Sequence, residues 1–128
     1  MPDKTVVEKL LIKEGYRVAI VNPPNGYLDS IGKLPEKATK VEISAGNLDF
    51  IQSFITSRKD LEASLQGLKT ALKRDGLLWI TYPKGTSKTK TDINRDIINA
   101  YAKTVGLQGV AMISIDDTWS ALRLRPKA

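Results

Sequence analysis

The sequence predicts an α/β fold: a three-layer sandwich on a mostly parallel sheet of about six strands that closes in an antiparallel hairpin. Three observations carry that expectation. Apolar runs recur at 17–22, 48–56 and 77–82, as in strands covered on both faces of a parallel sheet. Amphipathic stretches of helical spacing separate the later runs, so strands and helices alternate. The chain ends in two further runs, 110–115 and 119–125, joined by a short polar turn. Right-handed crossovers would put helices on both faces. Only the last strand, tied by its tight turn, must run antiparallel, between its hairpin partner and the strand G-L-L-W-I-T.

Each element has its own warrant. K-T-V-V-E-K-L-L-I-K (4–13) sets Val6, Val7, Leu10 and Leu11 at helical spacing behind an Asp3 cap, and Gly15 ends it. R-V-A-I-V-N (17–22) reads as a buried strand, and T-K-V-E-I-S (39–44), short and alternating, as an edge strand. L-D-F-I-Q-S-F-I-T (48–56) is aromatic and β-branched, which suits a central strand. Ser57 followed by Asp60 has the form of a capping box, and Leu61, Leu65, Leu68 and Leu72 then hold one apolar face. Gly76 is the expected stop of that helix. L-L-W-I-T-Y (77–82) is a strand closed by Pro83. Thr91 is the expected cap of a second helix with Ile93, Ile97, Ile98, Tyr101 and Val105 on one face, ended by Gly106.

At 128 residues the chain is the length of one domain, 1–128. With no histidine and no cysteine, it excludes disulfides, imidazole or thiolate zinc sites, and Ser-His or Cys-His nucleophile pairs. Acid–base chemistry would fall to carboxylates, lysine or tyrosine, which lowers the expectation of an enzyme. No apolar run reaches the roughly 20 residues of a membrane helix, and the first residues lack a signal-peptide pattern, so a cytoplasmic protein is expected. A net charge of +6 suits phosphates, nucleic acid or acidic partners, although Lys33, Lys37, Lys40, Lys84, Lys88, Lys90, Arg123, Arg125 and Lys127 are spread along the chain.

In open α/β sheets ligands sit outside the carboxyl ends of the strands. The predicted topology brings Asn22 to Tyr27, Ser57-Arg58, Lys84 to Lys90 and Asp116 to Trp119 to that edge. N-P-P-N (22–25) reads first as a proline-stiffened turn, and as a ligand wall through Asn22, Asn25 and Tyr27. P-K-G-T-S-K-T-K (83–90) reads either as a solvated loop or, through Lys84 and Lys88, as an anion site beside a helix N-terminus. Arg58 is not explained by capping, because a cation is unfavourable at a helix N-terminus, which makes it a candidate ligand contact. Asp116 reads first as a turn former and, by its place at this edge, as a candidate ligand contact, and Trp119 as a core residue or a stacking platform. No catalytic residue and no metal ligand is assigned.

A mostly parallel sheet ending in an antiparallel hairpin is similar to the class I S-adenosylmethionine-dependent methyltransferase fold, a Rossmann-like architecture, trimmed by a strand or two. The stretches NPPNGY, FITSRKDLE, GLLWITYPK, the TD opening the last helix with Asp92 at its first position, and DDTWSALRL also resemble a bacterial family of small proteins designated only as a domain of unknown function. That resemblance implies a methyltransferase-like fold and brings no established activity. Working methyltransferases of this fold carry a glycine-rich loop after the first strand and an acid at the end of the second. Here the loop is N-P-P-N-G-Y, and Glu42 falls inside V-E-I. No cofactor is therefore predicted, and S-adenosylmethionine binding is not expected. The function read from the sequence is a non-catalytic module that binds an anionic small molecule or a partner protein. A divergent methyltransferase and a basic nucleic-acid-binding protein are the alternatives.

Overall fold

In the computed structural model, which describes residues 5–85 and 91–126, six strands alternate with four α-helices. The order is α1 (Val6–Lys9), β1 (Arg17–Val21), α2 (Tyr27–Ile31), β2 (Thr39–Lys40), a 3₁₀ turn (Ile43–Ala45), β3 (Leu48–Phe54), α3 (Arg58–Ala71), β4 (Leu72–Pro83), α4 (Arg95–Thr104), β5 (Leu107–Ser114) and β6 (Trp119–Pro126). The strands lie side by side as β2-β1-β3-β4-β6-β5. The pairs β1–β2, β1–β3 and β3–β4 are parallel, while β4–β6 and β5–β6 are antiparallel. The last strand thus lies where the sequence puts it, with Trp79 opposite Arg123 and Ile113 opposite Ala121. Among the described residues, no helix is long and apolar enough to cross a membrane.

Four local expectations are corrected. The 39–44 strand shrinks to Thr39–Lys40, because after Val41 donates to the Val18 carbonyl at 2.8 Å the chain turns into the 3₁₀ segment. Gly76 does not stop α3, which ends at Ala71; it lies in β4. A Cβ there would fall 2.7 Å from Leu72 Cδ1 and 3.0 Å from the Leu48 carbonyl, so glycine permits a close strand approach. The second long helix is capped by Asn94, whose side chain accepts from the Ile97 N–H at 2.9 Å, and not by Thr91. At the other end of the chain, Thr5 caps α1 through a reciprocal capping box with Glu8. The Asp3 cap proposed from sequence lies outside the described residues, as do Lys88, Lys90 and Lys127.

Apolar side chains pack on both faces of the sheet. On one, Leu61, Leu65 and Leu68 of α3 and Ile98 and Ala102 of α4 pack against Ile51, Leu78, Ile80 and Leu122. On the other, Val7 of α1, Leu10 just after it, and Tyr27 of α2 pack against Val18, Phe50, Phe54 and Trp79. The Trp79 indole N–H donates to the Leu10 carbonyl at 3.0 Å, which satisfies a buried donor and ties the end of α1 to the sheet.

Candidate functional site

The carboxyl edge of the sheet begins with the turn after β1. Asn22 takes a left-handed conformation with φ of 55°, the backbone geometry that glycine would otherwise supply. Two prolines follow, and Gly26, at φ 82°, opens α2. The turn is closed by the Tyr27 N–H donating to the Pro24 carbonyl at 3.1 Å. Asn22 and Asn25 are exposed, whereas Tyr27 is buried. Its hydroxyl donates to Gln52 Oε1 at 2.8 Å, and Gln52 Nε2 donates to Thr81 Oγ1 at 2.9 Å, a polar chain running across β3 and β4 under the turn. Burial pushes the Tyr27 hydroxyl up to about 12, with the Gln52 hydrogen bond working against that and the charge of Asp116 adding to it. The Tyr27 ring meets Phe54 edge-on at 4.6 Å, and Phe54 meets Trp119 edge-on at 5.1 Å.

Beside this turn, β2 delivers Glu42. Sequence reasoning set Glu42 within a strand; the structure corrects this, because β2 is over at Lys40 and Glu42 opens the 3₁₀ turn at the strand's carboxyl end. A cleft of about 300 Å³ separates the ends of β1 and β2, lined by Val21, Asn22, Pro23, Leu28, Glu42 and Ile43. The Glu42 carboxylate is exposed and has no partner among the described residues. A smaller apolar hollow of about 180 Å³, walled by Ile31 and Leu34, shares Ile20, Leu28 and Lys40 with the cleft. Glu42 follows Asn22 at the spacing of about 20 residues that dinucleotide-binding folds put between the first turn and the ribose-binding acid. That spacing was the available signal, and the alternating run T-K-V-E-I-S hid it.

The remaining predicted residues form separate contacts. The Arg58 guanidinium is exposed and pairs with Glu62 at 3.1 Å, while its backbone N–H donates to Asp92 Oδ1 at 2.7 Å. Thr91 donates its hydroxyl to the Thr56 carbonyl. Asp92, expected at the first position of the second long helix, therefore occupies the N-terminus of α3, where a carboxylate is favoured and an incoming anion is repelled. Lys84 donates to Ser114 Oγ at 2.6 Å. Asp116 accepts the Thr118 and Trp119 N–H groups at 2.8 and 2.9 Å, the geometry of a turn former. The structure thus brings Tyr27 and Trp119 together through Phe54, and Asn22 together with Glu42. Arg58 and Lys84 close local contacts outside the cleft. Among the described residues no group of three or more acids is placed to hold a metal.

Residues 51–128 match the family described as "Protein of unknown function (DUF3052)", and the chain belongs to that family. No curated protein matches it significantly. Among solved structures, the chain is similar to a ribosomal protein L11 methylase from Lactobacillus delbrueckii subsp. bulgaricus, at 15% identity and a TM-score of 0.62, covering 96% of this chain and 76% of that one. It is similar to a TehB-like SAM-dependent methyltransferase from Corynebacterium glutamicum, at 14% identity and a TM-score of 0.58, covering 98% and 89%. A third likeness is to the magnesium protoporphyrin IX methyltransferase of Synechocystis PCC 6803 with bound SAH, at 10% identity and a TM-score of 0.61, covering 96% and 80%. The fold is that of class I methyltransferases.

These likenesses overturn one expectation. S-adenosylmethionine was not expected because the first turn lacks glycines and the acid lies inside a strand. Yet the same fold holds SAH in the Synechocystis enzyme, and both local objections weaken in the structure. Asn22 reaches the left-handed turn without glycine, and Glu42 stands at the strand's end.

Proposed function

We propose that this chain is a cytoplasmic, non-catalytic binding module whose ligand is S-adenosylmethionine or its demethylated product, held in the cleft between β1 and β2. The observation that carries the reading is Glu42, an unpaired carboxylate at the carboxyl end of β2 facing the same cleft as Asn22. A carboxylate accepts from two vicinal hydroxyls at once, which suits a ribose. The apolar hollow beside it, with Ile20, Leu28 and Leu34, suits the flat face of a purine. The non-catalytic part rests on how the neighbouring groups are used. Asp116 is committed to its own turn, and the Tyr27 hydroxyl is held protonated and directed inward to Gln52.

Calorimetry with S-adenosylmethionine and SAH on the intact chain tests this. Binding should be measurable, and Glu42→Ala should weaken it by about 10- to 100-fold, the worth of hydrogen bonds to a charged acceptor. Absence of heat at millimolar ligand sinks the proposal. An acidic metabolite at Arg58 and Lys84, or a protein docked on this edge, would instead give binding that Glu42→Ala leaves intact. The likeness to three methyltransferases favours a second reading, in which the bound cofactor also donates its methyl group. Transfer of labelled methyl into protein, nucleic acid or small-molecule fractions, lost in Glu42→Ala, would establish that reading over the first.

A further inference from the structure

At the opposite, amino end of the sheet, the first residues of β4 leave their regular pairing with β3. Leu48 pairs with Leu72, but the next partners are Phe50 and Leu77, so residues 73–76 leave the regular ladder. Gly76 allows this by bringing its backbone against the Leu72 side chain and the Leu48 carbonyl. The last residues of β6 arrive at the same place, because β6 runs antiparallel to β4. Between them is a cleft of about 500 Å³ lined by Arg74, Asp75, Leu77, Arg123, Leu124 and Arg125.

Three guanidiniums on one cleft repel one another unless an anion lies between them. Among the described residues no ion pair joins any of the three to a carboxylate, although Asp75 lines the same cleft. Arg74 and Arg125 are exposed; Arg123 is half-buried, its guanidinium 5.9 Å from the centre of the Trp79 ring. That is the outer range of a cation–π contact, and a part-desolvated cation without a counter-charge is costly unless something supplies one.

We infer that this cleft is a second binding site, specific for an oligophosphate group. Arginine forks match phosphate oxygens in pairs, which ammonium groups do not. Asp75 offsets one of the three charges, so charge alone would be balanced by one phosphate. Three forks, however, present more paired donors than the free oxygens of one phosphate can take, and two linked phosphates supply the further oxygens. The volume is that of a small-molecule pocket. A nucleic-acid strand would need aromatic faces for its bases, and the one aromatic residue at hand, Trp79, is 1% exposed. This site lies at the other end of the sheet from Glu42 and stands or falls apart from it.

Inorganic pyrophosphate is the probe, titrated calorimetrically into the intact chain at low and at raised salt. Binding should be present, should weaken with salt, and should fall by about tenfold or more in the double variant Arg74→Gln, Arg125→Gln, whose exposed positions leave the core untouched. Arg123→Lys, which keeps the charge and loses the fork, should weaken it as well. Arg58→Gln, at the far edge, should leave it unchanged. Equal affinity in the double variant, or no binding by the parent at millimolar pyrophosphate, overturns the site. A single-stranded oligonucleotide that binds tighter than pyrophosphate and displaces it replaces the oligophosphate reading with a nucleic-acid one.

Discussion

The two faces of the sheet reach a closed core by different means. One is covered by α3 and α4, 14 and 10 residues long, whose leucine and isoleucine side chains interlock with the strands. The other is covered by α1 and α2, of only 4 and 5 residues. Helices that short cannot carry an apolar stripe of their own, so Phe50, Phe54, Tyr27 and Trp79 fill the volume instead. Large rings bury much area per residue but bring polar atoms inward, and each of those must find a partner. The indole of Trp79 finds Leu10, and the hydroxyl of Tyr27 finds Gln52. The lightly covered side is held by a few large side chains and specific hydrogen bonds, the heavily covered one by many small apolar contacts.

Substitution can break that contrast. Trp79→Ala should cost about 3–5 kcal/mol in urea unfolding, plus the loss of the tie to α1, and should exceed Leu65→Ala on the helical face. If Leu65→Ala costs more, the aromatic account of the thin face fails. Tyr27→Phe should cost about 1–3 kcal/mol at neutral pH, because Gln52 Oε1 is left buried without its donor. Its pH dependence sharpens the point. The folded hydroxyl ionises near 12 and the unfolded one near 10, so folding favours the neutral form. That contribution is complete below pH 10 and is lost as pH rises through 12, so the gap between parent and variant should narrow on the alkaline side. The smallest effect belongs to the helical face. Ser57→Ala, which removes the acceptor of the Asp60 N–H, should cost about 1 kcal/mol. A loss as large as that of Trp79→Ala would mean that capping, and not packing, holds α3.

Legibility followed the same division. On the helical side the strands β3 and β4, the Ser57 cap and Leu61, Leu65 and Leu68 of the α3 face, and the closing hairpin could be read. A long amphipathic helix leaves a periodic pattern, and apolar runs mark buried strands. Leu72, expected on that face, instead opens β4. On the thin side α2 was missed, since Tyr27–Ile31 makes little more than one turn and has no period to detect. Glu42 was misplaced because T-K-V-E-I-S alternates like a strand, while the chain leaves the sheet after Val41. Tyr27 and Trp119 were legible as edge residues but not as members of one ring cluster, which is a matter of tertiary packing. Asp92 was read as opening the last helix. Its service to α3 is a contact over 34 positions that no local rule anticipates.

The family match begins at residue 51, which is inside β3, and β1 is the neighbour on the far side of that strand from β4. A chain cut there would keep the ladder to β4 and lose the one to β1. The four residues of β3 that would remain, 51–54, are all buried in the whole fold, so the uncovered rim would be a row of unpaired N–H and C=O groups that the intact sheet shields from water. Such a rim is a template on which other copies can add strands. Besides framing the Glu42 cleft, β1 and β2 therefore guard against self-association. The β2 rim they expose in place of β3 is only two residues long, both of them exposed and polar.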